Sequence, residues 1–424
     1  MSAIESASIR IFIVVPPGFE RLAMAEITYK FPEIVKYGES PSAVEVVNFS
    51  RGGISLEVPE EFVPELHYRL KIPTSIRERL YEFKCRDFPK LFSKIQALPW
   101  RNYLVGDAFE LSVSAEKSRL ANEKRISQTV SDGIHRYFAK QPPKKATSPF
   151  THKIYVRFTN DVCTLSRDLS GQPLFQRGYK EMSAIAPLRE NLAAALNFAL
   201  SRACGPVEAL IDPMCGSGTL LFEAWLFGRR WNRQTSVEGD YAFLHDERWQ
   251  SPCLQLQCSQ PNEMGSALNG ASQTALKYFG FDRDESALQA ARSSAKRLGC
   301  TEAFTFLKHD LFSEGSSENG RLPLNEPKKE NKKLNAAVIL NPPYGERIKL
   351  PMPPQRYYPQ LLDRVVQNAP NDVNIKALGV VIPKAQARFV ANSVGPLERS
   401  EIFNFQNGGL DVQFHIFLSQ VDKK

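Results

Sequence analysis

The sequence lacks the long hydrophobic runs and the N-terminal pattern that direct a chain into or across a membrane. No stretch of the 424 residues approaches the ~20 apolar residues that a membrane-spanning helix requires. Residues 1–10 contain no basic segment followed by an apolar one, so we expect no secretory signal. Together these absences predict a cytoplasmic protein.

Cysteine is sparse and scattered, which disfavours both a disulfide framework and a metal site. None of the seven cysteines forms a C-x-x-C pair, and only Cys253 and Cys258 lie close together in the sequence. An odd number of scattered cysteines is typical of reduced thiols in the cytosol. A zinc site would need further Cys or His residues at ligand spacing, so we expect no bound metal.

Positive charge is concentrated in one middle segment of a chain whose composition is otherwise ordinary. Hydrophobic residues make up 42% of the sequence and charged residues 24%, as in soluble globular proteins, and the length predicts two or three domains. Residues 66–180 carry 22 Lys and Arg against 10 Asp and Glu, whereas residues 1–65 carry 5 against 10. The basic segment is either a solvated surface or one that attracts phosphate backbones, and charge alone leaves both interpretations open.

The first two segments of the chain combine strand and helix patterns. Residues 1–65 contain strand patterns such as the β-branched run at 11–15 and one helical pattern, which predicts a small α+β unit. The basic segment that follows, residues 66–168, contains a helix that Asn122 can begin and a hairpin that turns at residues 160–161.

The remainder of the chain predicts a connector and then an α/β domain. Residues 169–187 contain several Gly and Pro residues and form the expected connector. Strands and helices alternate over residues 188–424, and strands such as 336–340 are almost wholly apolar. This pattern favours a doubly wound parallel sheet covered on both faces. Two polar inserts, at residues 232–276 and 313–334, are expected to form surface loops.

A glycine-rich turn is predicted at the end of the first strand of this α/β domain. The apolar run at residues 209–211 is followed by two glycines and then by a helical pattern. Glycine lets a ligand approach the backbone closely, at the carboxyl end of a strand where open α/β sheets bind ligands. The alternative is a turn that binds nothing. The candidate ligand-binding residues are Asp212, Pro213, Cys215, Gly216, Ser217, Gly218 and Thr219.

The acid that opens this motif favours a ligand with an ammonium group over a nucleotide phosphate. A dinucleotide-binding turn would have a third glycine where Leu221 stands, and a phosphate-binding loop would contain a lysine. Asp212 would repel a pyrophosphate, but its carboxylate can accept hydrogen bonds from an ammonium group, directly or through water. A nucleoside that carries an amino acid, such as S-adenosylmethionine, meets these requirements.

Acids also follow the next two predicted strands. Asp282 lies at the tip of the second strand, where a carboxylate can accept hydrogen bonds from both ribose hydroxyls of a nucleoside. Asp284 is better placed to cap the helix that follows. Asp310 follows the strand at residues 304–307, where it can accept a hydrogen bond from the amino group of an adenine. For each of these acids, a plain capping or solvated role is the alternative.

The most informative motif, Asn341-Pro342-Pro343-Tyr344, follows the most hydrophobic strand. The two prolines remove backbone donors and fix φ, so the turn is rigid. The Asn341 side-chain oxygen and the Pro342 carbonyl can then accept both hydrogens of an exocyclic NH₂ group, while Tyr344 stacks on a flipped-out base. The amino lone pair would point towards an incoming methyl group, so the task is alignment rather than proton removal. A Pro-Pro turn that only ends a strand is the alternative.

In this order, the three motifs resemble the class I methyltransferases that carry an N-terminal THUMP domain. The group that makes N2-methylguanine in large-subunit ribosomal RNA is the most similar. Four further segments that match this group extend the resemblance over nearly the whole chain, at residues 16–20, 98–104, 168–179 and 407–410. Because adenine-N6 enzymes share the methyltransferase motifs, the combination with the connector and the basic segment is what indicates RNA guanine.

The resemblance implies a fold, a cofactor and a partner. The implied fold is a ferredoxin-like subdomain at residues 1–65, a THUMP RNA-binding domain at 66–168, and a Rossmann-like methyltransferase domain at 188–424. RNA would be bound through the basic residues 66–180, and S-adenosylmethionine would be the methyl donor. The implied reaction is methylation of the exocyclic N2 amino group of a guanine in 23S ribosomal RNA.

The resemblance also implies roles for single residues. Cofactor contacts are implied at Asp212, Gly216, Gly218, Asp282 and Asp310, and base contacts at Asn341, Pro342 and Tyr344. Asn341 also borders the cofactor, and Pro343 completes the catalytic turn. Arg283 stands where the family has an apolar residue under the adenine, so only its aliphatic stem can pack there. The Pro-Met-Pro-Pro stretch at residues 351–354 also departs from the family pattern.

Three other functions remain open from the sequence. A transfer RNA guanine-N2 methyltransferase would have the same domains, and a DNA adenine-N6 methyltransferase would share the motifs but lack the basic RNA module. An RNA-binding assembly factor with an inactive methyltransferase fold is an alternative from a different class. The intact motifs at residues 212–219 and 341–344 argue against an inactive fold.

Overall fold

The computed structural model divides the chain into two compact units. The described residues are 8–32, 45–145, 150–180, 188–231, 241–249, 276–312, 322–324, 333–345 and 349–420. The first unit takes in Met1–Val15, Ile27–Leu174 and Asn232–Gln260, and the second takes in Pro16–Glu26, Phe175–Trp231 and Pro261–Lys424. Within the described ranges, every helix is too short or too polar to cross a bilayer.

One seven-stranded sheet forms the first unit, in the order β2-β3-β1-β4-β7-β6-β5. Its strands are β1 (Ser8–Val14), β2 (Glu45–Ser50), β3 (Gly53–Pro59), β4 (Ser75–Lys84), β5 (Phe109–Glu116), β6 (His152–Thr159) and β7 (Val162–Asp168). Neighbouring strands are antiparallel except β5 and β6, which are parallel. The boundary predicted at residue 65 therefore falls inside one sheet. The ferredoxin-like and THUMP identities of the two segments remain predictions.

Two of the helices described in this part of the chain begin at capping residues that the sequence predicts. The helices are α1 (Glu20–Lys30), α2 (Phe62–Arg69), α3 (Phe88–Ala97) and α4 (Glu123–Phe138). The boundary between the two units falls inside α1, after Glu26. Asp87 accepts a hydrogen bond from the Lys90 amide at 2.8 Å, and Asn122 accepts one from the Arg125 amide at 3.0 Å, so both side chains cap their helices. The hairpin turn at residues 160–161 has two positive φ angles, as predicted.

The core of this unit lies between helices α3 and α4 and one face of the sheet. The apolar side chains of the two helices pack against the inward residues of β6 and β7. These buried residues include Leu91, Ile95, Ile126, Val130 and Ile134 from the helices, and Ile154, Val156, Phe158, Cys163 and Leu165 from the strands. The period of three to four residues in α4 and the alternation in β6 are the patterns that predicted both elements.

The prediction that residues 232–276 form a surface loop is wrong for residues 241–249. This segment belongs to the first unit, where Tyr241, Phe243 and Trp249 are buried. The Phe243 ring lies 4.7 Å from the ring of His67. Buried aromatic rings remove a large apolar area from water, which outweighs the polar residues around them in the sequence. Residues 232–240 and 250–275 of this insert, and residues 313–321 and 325–332 of the second insert, lie outside the described residues.

A buried cluster of charges fixes the same segment. The Arg167 guanidinium is 3% exposed and contacts Glu78 at 2.6 Å and Asp246 at 2.5 Å. Arg248 is hydrogen-bonded to Asp246, Glu78 and Glu60. Buried charges persist when each is paired and hydrogen-bonded, so these five side chains stabilise the fold only as a set.

The second unit is built on an eight-stranded sheet in the order β10-β9-β8-β11-β12-β15-β14-β13. Its strands are β8 (Ala209–Asp212), β9 (Lys277–Asp282), β10 (Phe304–Lys308), β11 (Leu334–Leu340), β12 (Val373–Pro383), β13 (Ser393–Val394), β14 (Leu397–Asn407) and β15 (Leu410–Ser419). The first five strands in this order are parallel, and the other three are antiparallel additions. The α/β fold with a doubly wound, Rossmann-like sheet is confirmed.

Helices cover the sheet and fix where its crevice opens. They are α5 (Glu190–Cys204), α6 (Thr219–Phe227), α7 (Glu285–Arg297) and α8 (Pro354–Gln367). From β8, the sheet extends through β9 to β10 on one side and through β11 to β12 on the other. The chain therefore reverses its winding between β8 and β11, and the crevice outside their carboxyl ends is where such folds bind ligands.

The predicted connector is fixed to the second unit at its end. Arg177 is 3% exposed, and its Nε donates to both carboxylate oxygens of Glu223 in α6 at 2.9 Å. The Tyr179 hydroxyl donates to the same carboxylate at 2.9 Å, and the Lys180 ammonium lies 3.2 Å from Glu190. Residues 181–187 lie outside the described residues.

Replacing Arg167 by Met is expected to lower the free energy of unfolding by about 3–5 kcal/mol, because the buried carboxylates of Glu78 and Asp246 would lose their most buried partner. Chemical denaturation followed by circular dichroism measures this change. Arg86→Met is the matched control, because the Arg86 side chain is 71% exposed in its pair with Asp161 and should matter little. Equal losses in the two variants would contradict the role assigned to the buried cluster.

Candidate functional site

The carboxyl ends of β8, β9, β10 and β11 open into one cleft of about 960 Å³ within the second unit. A cleft of this volume can hold a nucleoside cofactor together with part of a second substrate. Of the residues predicted from the sequence, it is lined by Asp212, Pro213, Cys215, Gly216, Ser217, Thr219, Asp282, Arg283, Asp310, Asn341, Pro342, Pro343 and Tyr344. Their common location is what the parallel order of the strands requires.

Gly218 shapes the cleft without lining it. Gly216 and Gly218 have φ angles of +52° and +81°, which side chains disfavour. A Cβ atom on Gly218 would lie 2.7 Å from the ring of Phe222, so a side chain there would also push the first turn of α6. The Cys215 amide donates to the Phe281 carbonyl at 2.8 Å and holds the loop against the end of β9.

The Asp282 carboxylate joins the loops that follow β8 and β9. One oxygen accepts a hydrogen bond from the Gly216 amide at 2.8 Å, and the other accepts one from the Asp284 amide at 2.9 Å. Each oxygen retains a lone pair, so the carboxylate can still accept from ribose hydroxyls. Asp284 accepts a hydrogen bond from the Ser286 amide at 2.9 Å and caps α7, as predicted.

Asp212 is a buried carboxylate suited to a cationic ligand group. Its side chain is almost fully buried and accepts one hydrogen bond, from the Met214 amide at 3.1 Å. Burial raises the pKa of the Asp212 carboxyl well above its ordinary value, and the negative charge of Asp282 adds to the rise. An ammonium group placed beside Asp212 would relieve this cost, and this chemistry fits the amino-acid end of S-adenosylmethionine.

Two adjacent residues after β10 offer polar groups to the same cleft. The Asp310 carboxylate accepts a hydrogen bond from the Phe312 amide at 2.9 Å. His309 also lines the cleft, and within the described ranges its buried Nε2 has no hydrogen-bond partner. Burial lowers the pKa of His309, so the ring is neutral at pH 7. From the sequence, a role was expected only for Asp310, because a histidine beside it has no local signature of its own.

The rigid turn after β11 is tied together by the Tyr344 hydroxyl. This hydroxyl donates to the Asn341 side-chain oxygen at 2.5 Å and accepts a hydrogen bond from the Asn407 amide group at 3.1 Å. Burial raises the pKa of Tyr344 to about 12, so the hydroxyl keeps its proton. The oxygen predicted to bind a target amino group is thus held by Tyr344 here. Stacking of a base on Tyr344 stays a prediction, and residues 346–348 lie outside the described residues.

Asn407 is a site residue that sequence reasoning missed. It ends β14 and lines the cleft, while Gly408 and Gly409 make the turn into β15 with φ angles of +59° and +88°. The Asn-Gly-Gly run makes the hairpin turn between the two paired strands. The sequence does not reveal that this turn lies beside Tyr344, because β14 and β15 reach the cleft only through pairing with β12.

The chain matches a family model and is similar to a curated ribosomal RNA methyltransferase. Residues 177–379 match the UPF0020 family, described as an RMKL-like methyltransferase domain. The ribosomal RNA large subunit methyltransferase K/L of Aliivibrio salmonicida (strain LFI1238) is 29% identical over 309 residues, covering 70% of this chain and 40% of that protein. The chain therefore spans about two fifths of the length of this relative.

Solved structures share the fold over nearly the full length. A possible methylase from Clostridium difficile 630 aligns with a TM-score of 0.73 at 22% identity, covering 97% of this chain and 98% of the other. SMU.472, complexed with SAH, gives 0.71 at 22% identity, with 98% and 99% covered. TrmN from Thermus thermophilus gives 0.63 at 18% identity, with 97% and 99% covered.

The family match and the cleft concern the same part of the chain. The glycine-rich loop, Asp282 and the turn at Asn341–Tyr344 all lie between residues 177 and 379. The segment that matches the RMKL-like UPF0020 methyltransferase model therefore contains the main walls of the cleft.

Proposed function

We propose that this chain methylates the exocyclic N2 amino group of a guanine in 23S ribosomal RNA, with S-adenosylmethionine as methyl donor. The observation that carries the proposal is that the Asn341-Pro342-Pro343-Tyr344 turn lines the same cleft as the glycine-rich loop and Asp282. The similarity to a ribosomal RNA large subunit methyltransferase K/L supports ribosomal RNA as the substrate. The SAH complex of SMU.472 supports S-adenosylmethionine as the cofactor.

The residues of the cleft fit this cofactor. Asp212 would hold the ammonium group, Asp282 the ribose hydroxyls and Asp310 the adenine amino group. The stem of Arg283 would pack beside the adenine. When bound, S-adenosylmethionine supplies a methyl group that its sulfonium already activates.

The chain's own residues then have to align the target amine. The Asn341 side-chain oxygen and the Pro342 carbonyl would accept its two hydrogens, which directs the nitrogen lone pair out of the hydrogen-bonded plane. To receive the amine, Asn341 exchanges the hydrogen bond from Tyr344 for one from the substrate, and Asn407 keeps the Tyr344 hydroxyl in place. Alignment of this kind is worth a large part of a reaction barrier, so no strong base is required.

The RNA partner would be bound through residues 66–180. Exposed basic side chains lie on α3 and α4 of this segment, among them Lys90, Lys124 and Arg136. Phosphate contacts by such residues make binding depend steeply on salt. Transfer RNA is the second candidate substrate, because a transfer RNA guanine-N2 methyltransferase would have the same domains.

The proposed reaction is tested with unmodified 23S ribosomal RNA and unmodified transfer RNA, each incubated with the protein and labelled S-adenosylmethionine. Mass spectrometry of the digested nucleosides is expected to show N2-methylguanosine in the 23S RNA. The same nucleoside in transfer RNA alone would favour the second candidate. N6-methyladenosine, or no product with either RNA, would overturn the proposal.

Asn341→Ala is expected to lower kcat about 100-fold or more, because the target amine loses one of its two acceptors. Cofactor affinity, measured by isothermal titration calorimetry, should change little. Asn341→Asp is the matched variant, since a carboxylate oxygen still accepts a hydrogen bond, and it should retain more activity than Asn341→Ala. Normal turnover by Asn341→Ala would refute the role of this residue.

Asp212→Asn is expected to weaken binding of S-adenosylmethionine about ten-fold or more, because a charge-assisted hydrogen bond to the ammonium group is lost. The melting temperature of the ligand-free protein should stay equal or rise, since a buried carboxylate is removed. Asp363→Asn, at an exposed position of α8, is the control. Calorimetry that gives the same affinity for both variants would exclude Asp212 from the ammonium site.

A further inference from the structure

A second, smaller pocket lies directly beside the cleft and shares Tyr344 with it. Its volume is about 450 Å³, and it shares Tyr344 and Leu410 with the cleft. The remaining lining residues are Pro383, Lys384, Ala385, Gln386 and Asp411. They come from the end of β12, the short 3₁₀ helix that follows it at Lys384–Phe389, and the start of β15. The two spaces are therefore neighbours with a common aromatic wall.

Gln386 gives this pocket an unused acceptor. Its Nε2 donates to the Tyr344 carbonyl at 3.5 Å, whereas its buried Oε1 has no hydrogen-bond partner among the described residues. A buried acceptor without a partner is unfavourable, so a donor supplied by a ligand would be bound there. Through the bond from its Nε2, the Gln386 amide is linked to Tyr344, the wall that the two spaces share.

The other polar groups of the pocket are charged and lie at its mouth. Lys384 and Asp411 are both exposed. The Lys384 ammonium can pair with a phosphate, as basic side chains do when they position nucleic acids. Asp411 already accepts a hydrogen bond from the Gln406 amide group at 3.0 Å. The pocket thus combines an aromatic wall, one buried acceptor for a base edge and one cation for a backbone.

We propose that this pocket binds the nucleotide adjacent to the target guanine, with Gln386 Oε1 accepting a hydrogen bond from the edge of its base. The inference rests on the proposed function, because it requires a polynucleotide whose target base enters the cleft. Because Tyr344 lines both spaces, consecutive nucleotides of a single strand can occupy one space each. Gln386 is then a specificity-determining residue, which favours a base with an N–H or NH₂ group on that edge.

The test uses in vitro transcripts of the 23S RNA segment that contains the methylated guanine, with each flanking nucleotide changed in turn. The wild-type protein is expected to lose about ten-fold or more in kcat/KM when one flanking base is changed, because a base-edge hydrogen bond is lost. Gln386→Ala should lower kcat/KM on the natural sequence and make the two transcripts nearly equal. Gln360→Ala, at an exposed position of α8, is the matched control and should keep the wild-type ratio.

The outcomes separate the two proposals. If Gln386→Ala discriminates between the transcripts as strongly as the wild type, the pocket assignment is overturned and the proposed reaction stands. If the wild type itself methylates no RNA, the proposed function fails and this inference fails with it. Melting temperature and affinity for S-adenosylmethionine are measured for every variant, and both are expected to match the wild type, so that a folding defect is not mistaken for lost discrimination.

Discussion

The hydrogen bonds of Asp282 link the loops on which the cleft depends. Its carboxylate accepts from the Gly216 amide on one side and from the Asp284 amide on the other, so the loops after β8 and β9 form one surface. This bridge is possible because parallel neighbouring strands end at the same edge of the sheet. Without it, the glycine-rich loop would be held mainly by the backbone bond from Cys215 to Phe281.

The opposite wall of the cleft is organised by a second polar link. The Tyr344 hydroxyl joins the turn after β11 to the hairpin between β14 and β15, through Asn341 and Asn407. Two prolines restrict the backbone of the turn, and the hydrogen bonds of Tyr344 hold the turn against the neighbouring hairpin. The proposed alignment of an amine with a methyl group would benefit from rigidity of both kinds, because small displacements are costly for transfer.

Buried ion pairs hold distant parts of the chain in each unit. Arg167 and Arg248 pair with three carboxylates in the first unit, and Arg177 pairs with Glu223 in the second. Such pairs are unfavourable when incomplete, so each specifies one arrangement of its chain segments. In the first unit, the pairs bring residues 241–249 to a sheet whose strands end at residue 168.

Much of the cleft could be predicted from the sequence because its signals are local. A strand, a turn and a helix cap involve residues within a few positions, so Asp212, Asp282, Asp284 and Asn341 were found at the ends of their elements. Strand β4 was not predicted, because Glu78 interrupts the apolar alternation after Ile76 and is nevertheless buried on the same face. That carboxylate is tolerated only because Arg167 and Arg248 reach it from elsewhere.

The sequence by itself determined the doubly wound fold and the order of the three motifs, since apolar patterns and turn residues act along the chain. The tertiary structure decided which side chains meet. Asn407 and Gln386 lie beside Tyr344 only because β12, β14 and β15 pair in one sheet. Tyr241, Phe243 and Trp249 are buried against residues of the first unit that are distant in sequence. Contacts of this kind depend on long-range pairing and leave no periodic pattern to read.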